Sequence, residues 1–470
     1  IEADANVAFG THFLRYIGIP TLSTRVRAEA IQTRRFVEVV MALDISASMD
    51  GLDAVTGTAK LIEMRAAAKD FVSKILTSET LDVTSVTLVP FGGTVNPGDF
   101  SSYISMDASR LPTWPATSPI GHSLCPEFER SDFTGSDIDA IDFTRNYTIS
   151  QQFKRWNNFP GPHTGEVRWG WCPEPDAGIV AHTNVLGDIE TRIDSMGLYD
   201  GTGIDMALKW SLFALSPESR SLVNTMISDG IVDNNFAGRP MDYGDDGVEK
   251  YIVFLTDGGI TEQKKFVDEL WDGTVEDLED SDIFASDADR DSAISHIESV
   301  VGEDGRLADY WSAPNEEYKN NVIVDDEIWD NIMHSRGGNV TYDAATTSNV
   351  RLTNTQVNRW SMREALEHAT ELCDYMRAPA ADGNERIRVF TIGFNINGWD
   401  ESYEPFTSLD DDGFAHGNNL HRSAYVLNHC PTNPADLYLV NSDSLGGAFD
   451  DIAAQINSLR LTAAADRVDD

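Results

Sequence analysis

Basic side chains are scarce in this sequence, in which 35 Lys and Arg stand against 77 Asp and Glu and give a formal net charge of −42. Nucleic acids and anionic membrane surfaces bind proteins through positive charge, so this balance excludes both as partners. Long apolar runs are also lacking, since none exceeds the pentapeptide Val39–Leu43 and a membrane-spanning helix needs about 18 residues. We therefore expect any membrane attachment to come from a segment upstream of Ile1.

Cysteine is sparse as well. The four cysteines are Cys125, Cys172, Cys373 and Cys430. An even count without a C-x-x-C pair is typical of two disulfides in an oxidising, extracytoplasmic compartment. Zinc is the alternative, because His421 and His429 lie near Cys430, but structural zinc sites contain a second close pair of ligands and Cys373 has none. We predict the disulfides Cys125–Cys172 and Cys373–Cys430.

The hydrophobic pattern alternates between two periodicities. Five nearly continuous apolar runs are typical of strands buried on both faces of a sheet: Phe36–Leu43, Val83–Phe91, Tyr251–Thr256, Arg386–Phe394 and Leu437–Val440. Apolar residues at three- and four-residue steps predict amphipathic helices over Leu61–Ile75, Met362–Met376 and Leu445–Leu459. Strands that alternate with helices predict an α/β fold with a Rossmann-like, doubly wound, mainly parallel sheet across residues 36–465.

Three segments do not follow this alternation. Residues 1–35 are expected to form a short N-terminal β module, because Thr21–Ile31 alternates polar and apolar residues. Residues 100–185 hold eight of the eighteen prolines and predict a loop-rich insertion. Its tryptophans, which form either a small core or a contact patch, are Trp114, Trp156, Trp169 and Trp171. Residues 260–355 are predicted to be a second, acidic insertion with weak helical character.

The second insertion contains a possible calcium-binding pattern. Positions 1, 3, 5 and 12 of a calcium-loop register are occupied by Asp287, Asp289, Asp291 and Glu298. Position 6 is Ser292 instead of the glycine that the turn of such a loop needs. A solvated acidic loop is therefore the favoured interpretation, with calcium binding as the alternative.

Five oxygen-bearing residues stand at strand ends or on a tight turn: Asp44, Ser46, Ser48, Thr202 and Asp257. The first three follow one buried strand, the last follows another, and Thr202 lies in the turn Gly201–Gly203 before a predicted helix. Each element alone would fit an ordinary helix cap or turn. Ligand sites in open α/β sheets form at the carboxyl ends of the strands, so together they predict one site. Hard oxygen donors with little charge suit Mg²⁺, or Ca²⁺, with a coordination position left for a partner's carboxylate.

The segments DISASM, YDGTGIDMAL and VFLTDGG resemble the three loops of the metal-ion-dependent adhesion site of von Willebrand factor A domains. Segments such as TLVPFGGTVNPGDF and RVFTIGFNIN are further similar to TadG-like proteins of tight-adherence (Flp) pilus systems. The resemblance covers residues 1–110, 195–260 and 385–465. It implies a von Willebrand factor A fold for residues 36–465 and a pilin-like character for residues 1–35.

The resemblance also implies a function. We expect a non-enzymatic, metal-dependent adhesion or assembly protein of a bacterial surface pilus system, located at the cell surface or in the periplasm. Its partners would be a protein or surface ligand that offers a carboxylate, and other pilins. The alternative is a metal-bearing regulatory or scaffolding subunit of a larger enzyme complex. The sequence contains no nucleophile elbow, no Walker loop and no helical His/Glu metal pair, so catalysis by the chain itself is not expected.

Overall fold

A six-stranded sheet forms the centre of the protein. The computed structural model describes residues 2–10, 14–19, 21–29, 35–107, 125–150, 161–168, 170–261, 263–264, 273–279, 287–307, 358–360, 362–396 and 419–462. The strands are β1 (Glu2–Gly10), β2 (Thr21–Glu29), β3 (Phe36–Asp44), β4 (Thr84–Phe91), β5 (Ser105–Met106), β6 (Asn146–Tyr147), β7 (Val180–Thr183), β8 (Val248–Thr256), β9 (Gln263–Lys264), β10 (Asn358–Trp360), β11 (Arg388–Phe394) and β12 (Leu437–Val440). The α-helices are α1 (Lys60–Ile75), α2 (Leu186–Ser195), α3 (Ile204–Leu215), α4 (Arg220–Ser228), α5 (Asp287–Val301), α6 (Met362–Arg377), α7 (Asn419–His429) and α8 (Ser442–Thr462).

The central sheet is largely parallel, in the spatial order β12-β11-β8-β3-β4-β7. Its first five strands run parallel to one another, and they are the five that the apolar runs predict. The edge strand β7 pairs antiparallel with β4 and lies inside the range assigned to the first insertion. It spans four residues, which is too short for a period to be read from the sequence.

Helices cover both faces of this sheet, as expected of strands that are apolar on both sides. One face packs against α1, α2 and α8, and the other against α3, α6 and α7. The predicted stripe of α1 is buried along its whole length, and its Phe71 contacts Phe449 of α8 with ring centroids 5.4 Å apart. Helix α3 is buried on all sides. Replacing a core phenylalanine such as Phe71 by alanine would cost about 3–5 kcal/mol of stability.

The predicted N-terminal β module is a hairpin. Strands β1 and β2 pair antiparallel from Glu2 opposite Glu29 to Gly10 opposite Thr21. The described part of the second insertion includes α5, which agrees with the weak helical character expected there and corrects the interpretation of residues 287–298 as a solvated acidic loop. Asp287 to Val301 are helical, and residues two apart in an α-helix do not face each other, so the calcium-loop register is not formed. Much of the range 260–355 lies outside the described residues.

Both predicted disulfides are present. Cys125 joins Cys172 with Cα atoms 5.9 Å apart, and Cys373 of α6 joins Cys430, just past α7, with Cα atoms 4.9 Å apart. The zinc alternative at Cys430 is therefore wrong, because a cysteine in a disulfide offers no thiolate. His429 instead lies 2.8 Å from a carboxylate oxygen of Asp374.

Across the described helices, none combines the length and the apolar character that a bilayer crossing needs.

Candidate metal centre

Three loops meet at the carboxyl edge of the central sheet. The first loop (residues 44–51) follows β3, the second (198–203) precedes α3, and the third (256–261) follows β8. Adjacent parallel strands end side by side, and β3 and β8 are direct neighbours in register, so the chain ends of the first and third loops are held together by the sheet. The structure brings all five predicted site residues to this edge. Metal binding by them stays a prediction.

Two serines and one aspartate form the centre of this group. Ser46 Oγ lies 2.8 Å from Ser48 Oγ, and the Ser48 hydroxyl donates a hydrogen bond of 2.6 Å to Asp257 Oδ1. Ser46 and Asp257 are buried, whereas Ser48 is half-buried, so the group opens to the surface at the Ser48 side. These three side chains therefore direct their oxygen atoms to one small region.

Asp44 lies behind the two serines and is fully buried. Its Oδ1 accepts a 2.7 Å hydrogen bond from the Ser46 backbone N–H, and its Oδ2 accepts one of 2.6 Å from the Thr256 hydroxyl. Burial, followed by the charge of Asp257, raises the pKa of Asp44 to about 7, against the lowering effect of these hydrogen bonds. A cation at this edge would favour the ionised form of Asp44, because opposite charges close together stabilise each other.

Backbone hydrogen bonds connect the second loop to the other two. Tyr199 N–H donates to the Ile45 carbonyl at 2.8 Å, which ties the second loop to the first. Thr202 N–H donates to Thr261 Oγ1 at 2.9 Å, and Thr261 N–H donates back to the Thr202 carbonyl at 3.1 Å. Together with the side-chain bond from Ser48 to Asp257, these contacts link each loop to both of the others. The positions of the five side chains are therefore coupled.

Gly258 keeps space open between two of the hydroxyls. A Cβ atom at this position would lie 3.3 Å from Ser48 Oγ and 3.7 Å from Thr202 Oγ1. A side chain there would fill the region that the hydroxyls face, so a residue without one suits a bound ion. Three hydroxyls and two carboxylates are hard oxygen donors, and this donor set fits Mg²⁺ or Ca²⁺. Ser46, Ser48 and Thr202 would hold the ion, with Asp257 beside them and Asp44 orienting the first loop.

The end of the first insertion packs against the second loop. Arg168 N–H donates to the Leu198 carbonyl at 2.7 Å, and Asp200 N–H donates to the Gly170 carbonyl at 3.0 Å. The buried Trp171 ring occupies the space beside Gly201, where an added Cβ would lie 2.5 Å from it. Trp171 is thus a core residue that supports the loop of Thr202. The other three tryptophans of the insertion, Trp114, Trp156 and Trp169, lie outside the described residues.

The sequence-based prediction missed one charged member of the site. Lys60, the first residue of α1, places its ammonium nitrogen 2.5 Å from Asp257 Oδ2. It lies twelve residues after Ser48, and no strand end or periodic pattern marks it. Only the general expectation that a buried carboxylate needs a positive partner could have indicated that some lysine or arginine would be found here.

Comparison with known proteins gives structural neighbours but no sequence family. No protein-family model and no curated protein matches the chain. The von Willebrand factor domain of the type V pili tip protein Mfa5 from Porphyromonas gingivalis is 14% identical over 90% of this chain and 96% of that chain, with a TM-score of 0.35. The adhesive tip pilin GBS104 from Group B Streptococcus agalactiae is 10% identical over 90% of this chain and 99% of that chain, with a TM-score of 0.34.

A third similar structure is the pilus adhesin SpaC from Lactobacillus rhamnosus GG in its open conformation. It is 12% identical over 91% of this chain, with a TM-score of 0.35, and the chain spans 31% of its length. At these identities and TM-scores, the similarity assigns the chain neither a family nor a function.

Proposed function

We propose that this chain is a non-enzymatic, metal-dependent adhesion or assembly protein of a bacterial surface pilus system of the tight-adherence type. In this proposal residues 36–465 are a von Willebrand factor A-type domain. A divalent cation at the edge of the sheet supplies an open coordination position for a carboxylate of the partner. The chain's own residues hold the ion, orient it through the coupled loops and keep the site partly dry.

One observation carries the proposal. The side-chain oxygens of Ser46, Ser48 and Asp257 lie within 2.6–2.8 Å of their neighbours at the carboxyl edge of a largely parallel sheet. Thr202, on a third loop, has its Oγ1 3.7 Å from the point where a Cβ atom on Gly258 would lie, and Ser48 Oγ is 3.3 Å from the same point. Hydroxyl groups leave a bound Mg²⁺ or Ca²⁺ under-neutralised, so an acidic group of a partner is the ligand that completes the charge balance. Binding of this kind needs no nucleophile and no general base.

The placement outside the cytoplasm is supported by the cysteines. Both pairs are joined as disulfides, which form and persist in oxidising compartments. A metal-bearing subunit of a cytosolic enzyme complex would be expected to keep its thiols reduced. The two disulfides therefore favour the pilus-associated role over that alternative, and the motif resemblance to TadG-like proteins favours the tight-adherence type.

Metal binding is tested by titrating the full chain with MgCl₂ and, separately, with CaCl₂ in a calorimeter. We expect Ser48→Ala and Asp44→Asn to weaken binding by at least about tenfold, because each removes an oxygen donor or the carboxylate that orients the first loop. Ser73→Ala is the matched control, since Ser73 is exposed on α1 and bonds only its own helix. Unchanged affinity in both site variants would overturn the assignment of the site.

Metal binding should also stabilise the native state. A ligand that binds only the folded chain adds about 2.7 kcal/mol to the free energy of unfolding at a concentration one hundred times its dissociation constant.

The pilus assignment has a separate test in the gene neighbourhood. Genes for pilins and for a secretion ATPase beside this gene would support it, and a neighbourhood that encodes a cytosolic enzyme complex would contradict it.

A further inference from the structure

A positive charge already stands beside the candidate metal centre. The ammonium nitrogen of Lys60 lies 2.5 Å from Asp257 Oδ2, and the other carboxylate oxygen of Asp257 accepts the hydrogen bond from Ser48. The Asp257 side chain is fully buried, and that of Lys60 is 15% exposed. The Asp257 carboxylate therefore contacts both Ser48 of the candidate metal centre and Lys60 at its edge.

The chain between the first loop and α1 is folded so that Lys60 reaches this position. Leu52 and Ala59 form an antiparallel bridge, and the Lys60 backbone N–H donates to the Gly51 carbonyl at 3.0 Å. Residues 51–60 thus leave the first loop and return to it. A Cβ atom on Gly51 would lie 3.0 Å from the Ser48 carbonyl oxygen, so a glycine suits this tight turn of the first loop.

When Asp44 and Asp257 are both ionised, the charges of the site do not balance without a cation. Asp44 and Asp257 are both buried, and buried carboxylates are costly unless paired. With both ionised, Lys60 offsets one of the two negative charges. With a divalent cation added, the same three side chains and the ion sum to one positive charge. Lys60 therefore stabilises the metal-free site, because it pairs with Asp257. The same charge disfavours metal binding, because it repels the divalent ion.

We propose that Lys60 is a built-in counter-cation of this site, which balances Asp257 in the metal-free protein and lowers the affinity of the site for divalent cations. The inference rests on the proposed metal-binding function and assigns a new role to a residue within it. In its loaded form the site keeps a surplus positive charge, which selects an anionic group on the partner. Lys60 thereby sets the metal concentration at which the site becomes able to bind.

The test compares neutral and charge-conserving variants of Lys60 in the full chain. Lys60→Met and Lys60→Gln remove the charge, and Lys60→Arg keeps it. Calorimetric titration with MgCl₂ alone should show about tenfold tighter binding in both neutral variants, as expected for loss of one unit charge near a divalent ion. Lys60→Arg should bind as the wild type does. In EDTA, the neutral variants should unfold at lower temperature, and added Mg²⁺ should raise that temperature by more than in the wild type.

The matched control is Lys69→Met. Lys69 lies on the same helix and pairs with Asp194 in an ion pair whose side chains are 32% and 57% exposed. Removing its charge changes the net charge equally but should leave Mg²⁺ affinity unaltered. Tighter Mg²⁺ binding in Lys69→Met of the same size as in Lys60→Met would assign the effect to net charge and overturn the inference.

Failure of the inference is distinguishable from failure of the proposed function. If the wild type binds Mg²⁺ and the neutral variants bind it no more tightly, Lys60 is not a counter-cation and the metal site still stands. If the wild type, Lys60→Met and Lys60→Gln all fail to bind Mg²⁺ and Ca²⁺, the metal-dependent function and the inference are both overturned.

Discussion

Acidic side chains meet a lysine near each end of the strand pair β3 and β8, and the two ends are built differently. At the amino end Glu38 stands directly opposite Lys250 in the strand register, and both side chains are 1% exposed. Lys250 bonds Glu38 and donates to the Leu215 carbonyl at 2.9 Å. The second carboxylate oxygen of Glu38 accepts a 3.1 Å hydrogen bond from Met241 N–H. One carboxylate bonds one lysine, the charge of Arg239 also acts on it, and the Glu38–Lys250 pair is closed off from solvent.

At the carboxyl end of the same strands, two carboxylates meet one lysine and three hydroxyls. Lys60 is partly exposed, and the hydroxyls of Ser46 and Ser48 can rotate to donate or to accept. A closed pair has its charges balanced by the protein and needs no ligand. The open group carries surplus negative charge when both aspartates are ionised, and in the proposed function a cation completes it. This difference is the one expected between a structural ion pair and the proposed metal site.

The largest effect is expected from opening the closed pair. Lys250→Met leaves Glu38 buried without its partner, and this should lower the free energy of unfolding by about 3–5 kcal/mol. The double variant Glu38→Leu/Lys250→Met should recover most of that loss, because it removes both charges. Urea unfolding at pH 7 measures both, and Mg²⁺ affinity should stay unchanged. A loss below about 1 kcal/mol for the single variant would show that Glu38 does not depend on Lys250 to balance its buried charge.

Loss of each disulfide should lower stability, but only one of the two losses should affect Mg²⁺ binding at the candidate metal centre. Replacing either pair by serine should cost about 2–4 kcal/mol of stability, since each closes a long loop. Only the loss of Cys125–Cys172 should also weaken Mg²⁺ binding, because Cys172 follows Trp171, which packs beside Gly201 and Gly93. Calorimetric titration of both double-serine variants is the measurement. Equal changes in Mg²⁺ affinity would remove the link between the insertion and the second loop.

The buried His182 of β7 should give the protein an acid-side pH dependence. Burial, followed by the charges of Lys250 and Arg239, lowers the pKa of His182 to about 3. In the unfolded chain the value is about 6.5, so below that pH the unfolded state binds a proton that the folded state excludes. Stability should fall as pH drops from about 6.5 towards 3, by about 2 kcal/mol at pH 5.

Urea midpoints measured at pH 7, 6 and 5 check this prediction about His182. His182→Asn should flatten the pH dependence, and asparagine tolerates the positive φ of 42° at this position. An unchanged slope in that variant would mean that another group carries the acid sensitivity.

The smallest effect is expected from the exposed ion pair of α1. Lys69→Met removes the contact with Asp194, and both side chains are largely in contact with solvent. Screening by water leaves such pairs below about 1 kcal/mol. Urea unfolding should therefore barely distinguish this variant from the wild type. A loss comparable to that of Lys250→Met would show that burial does not decide the strength of these pairs.

The five parallel strands, several long helices and the meeting of five oxygen-bearing side chains at one sheet edge were predictable from the sequence, whereas Lys60 was not. Apolar runs and helical stripes are local patterns, and they predicted the five parallel strands of the central sheet and the helices α1, α6 and α8. The residues of the site were predictable because the carboxyl ends of parallel strands meet at one edge. Asp44 ends β3 and Asp257 follows β8, so both were expected at the carboxyl edge, and the structure shows that the two strands are direct neighbours.

Other features were not predictable in this way. Strand β7 spans four residues and shows no period, and the 15-residue helix α5 was interpreted as a loop because its acidic residues match a calcium-loop register. The role of Trp171 depends on a packing contact with Gly201, far away in the sequence. No local pattern encodes such a contact, because composition alone marks a tryptophan in a proline-rich segment equally well as core or as surface.

The sequence by itself determined the layered α/β architecture, the pairing of the cysteines and the set of oxygen donors at the sheet edge. Periodicity and strand-end position are properties of neighbouring residues, and neighbouring residues are what a sequence displays. Only the tertiary structure decided that Lys60 pairs with Asp257, which also accepts a hydrogen bond from Ser48, and that Lys250 pairs with Glu38. Which lysine meets which carboxylate depends on how the chain returns through space and on how much water remains at each end of the strands.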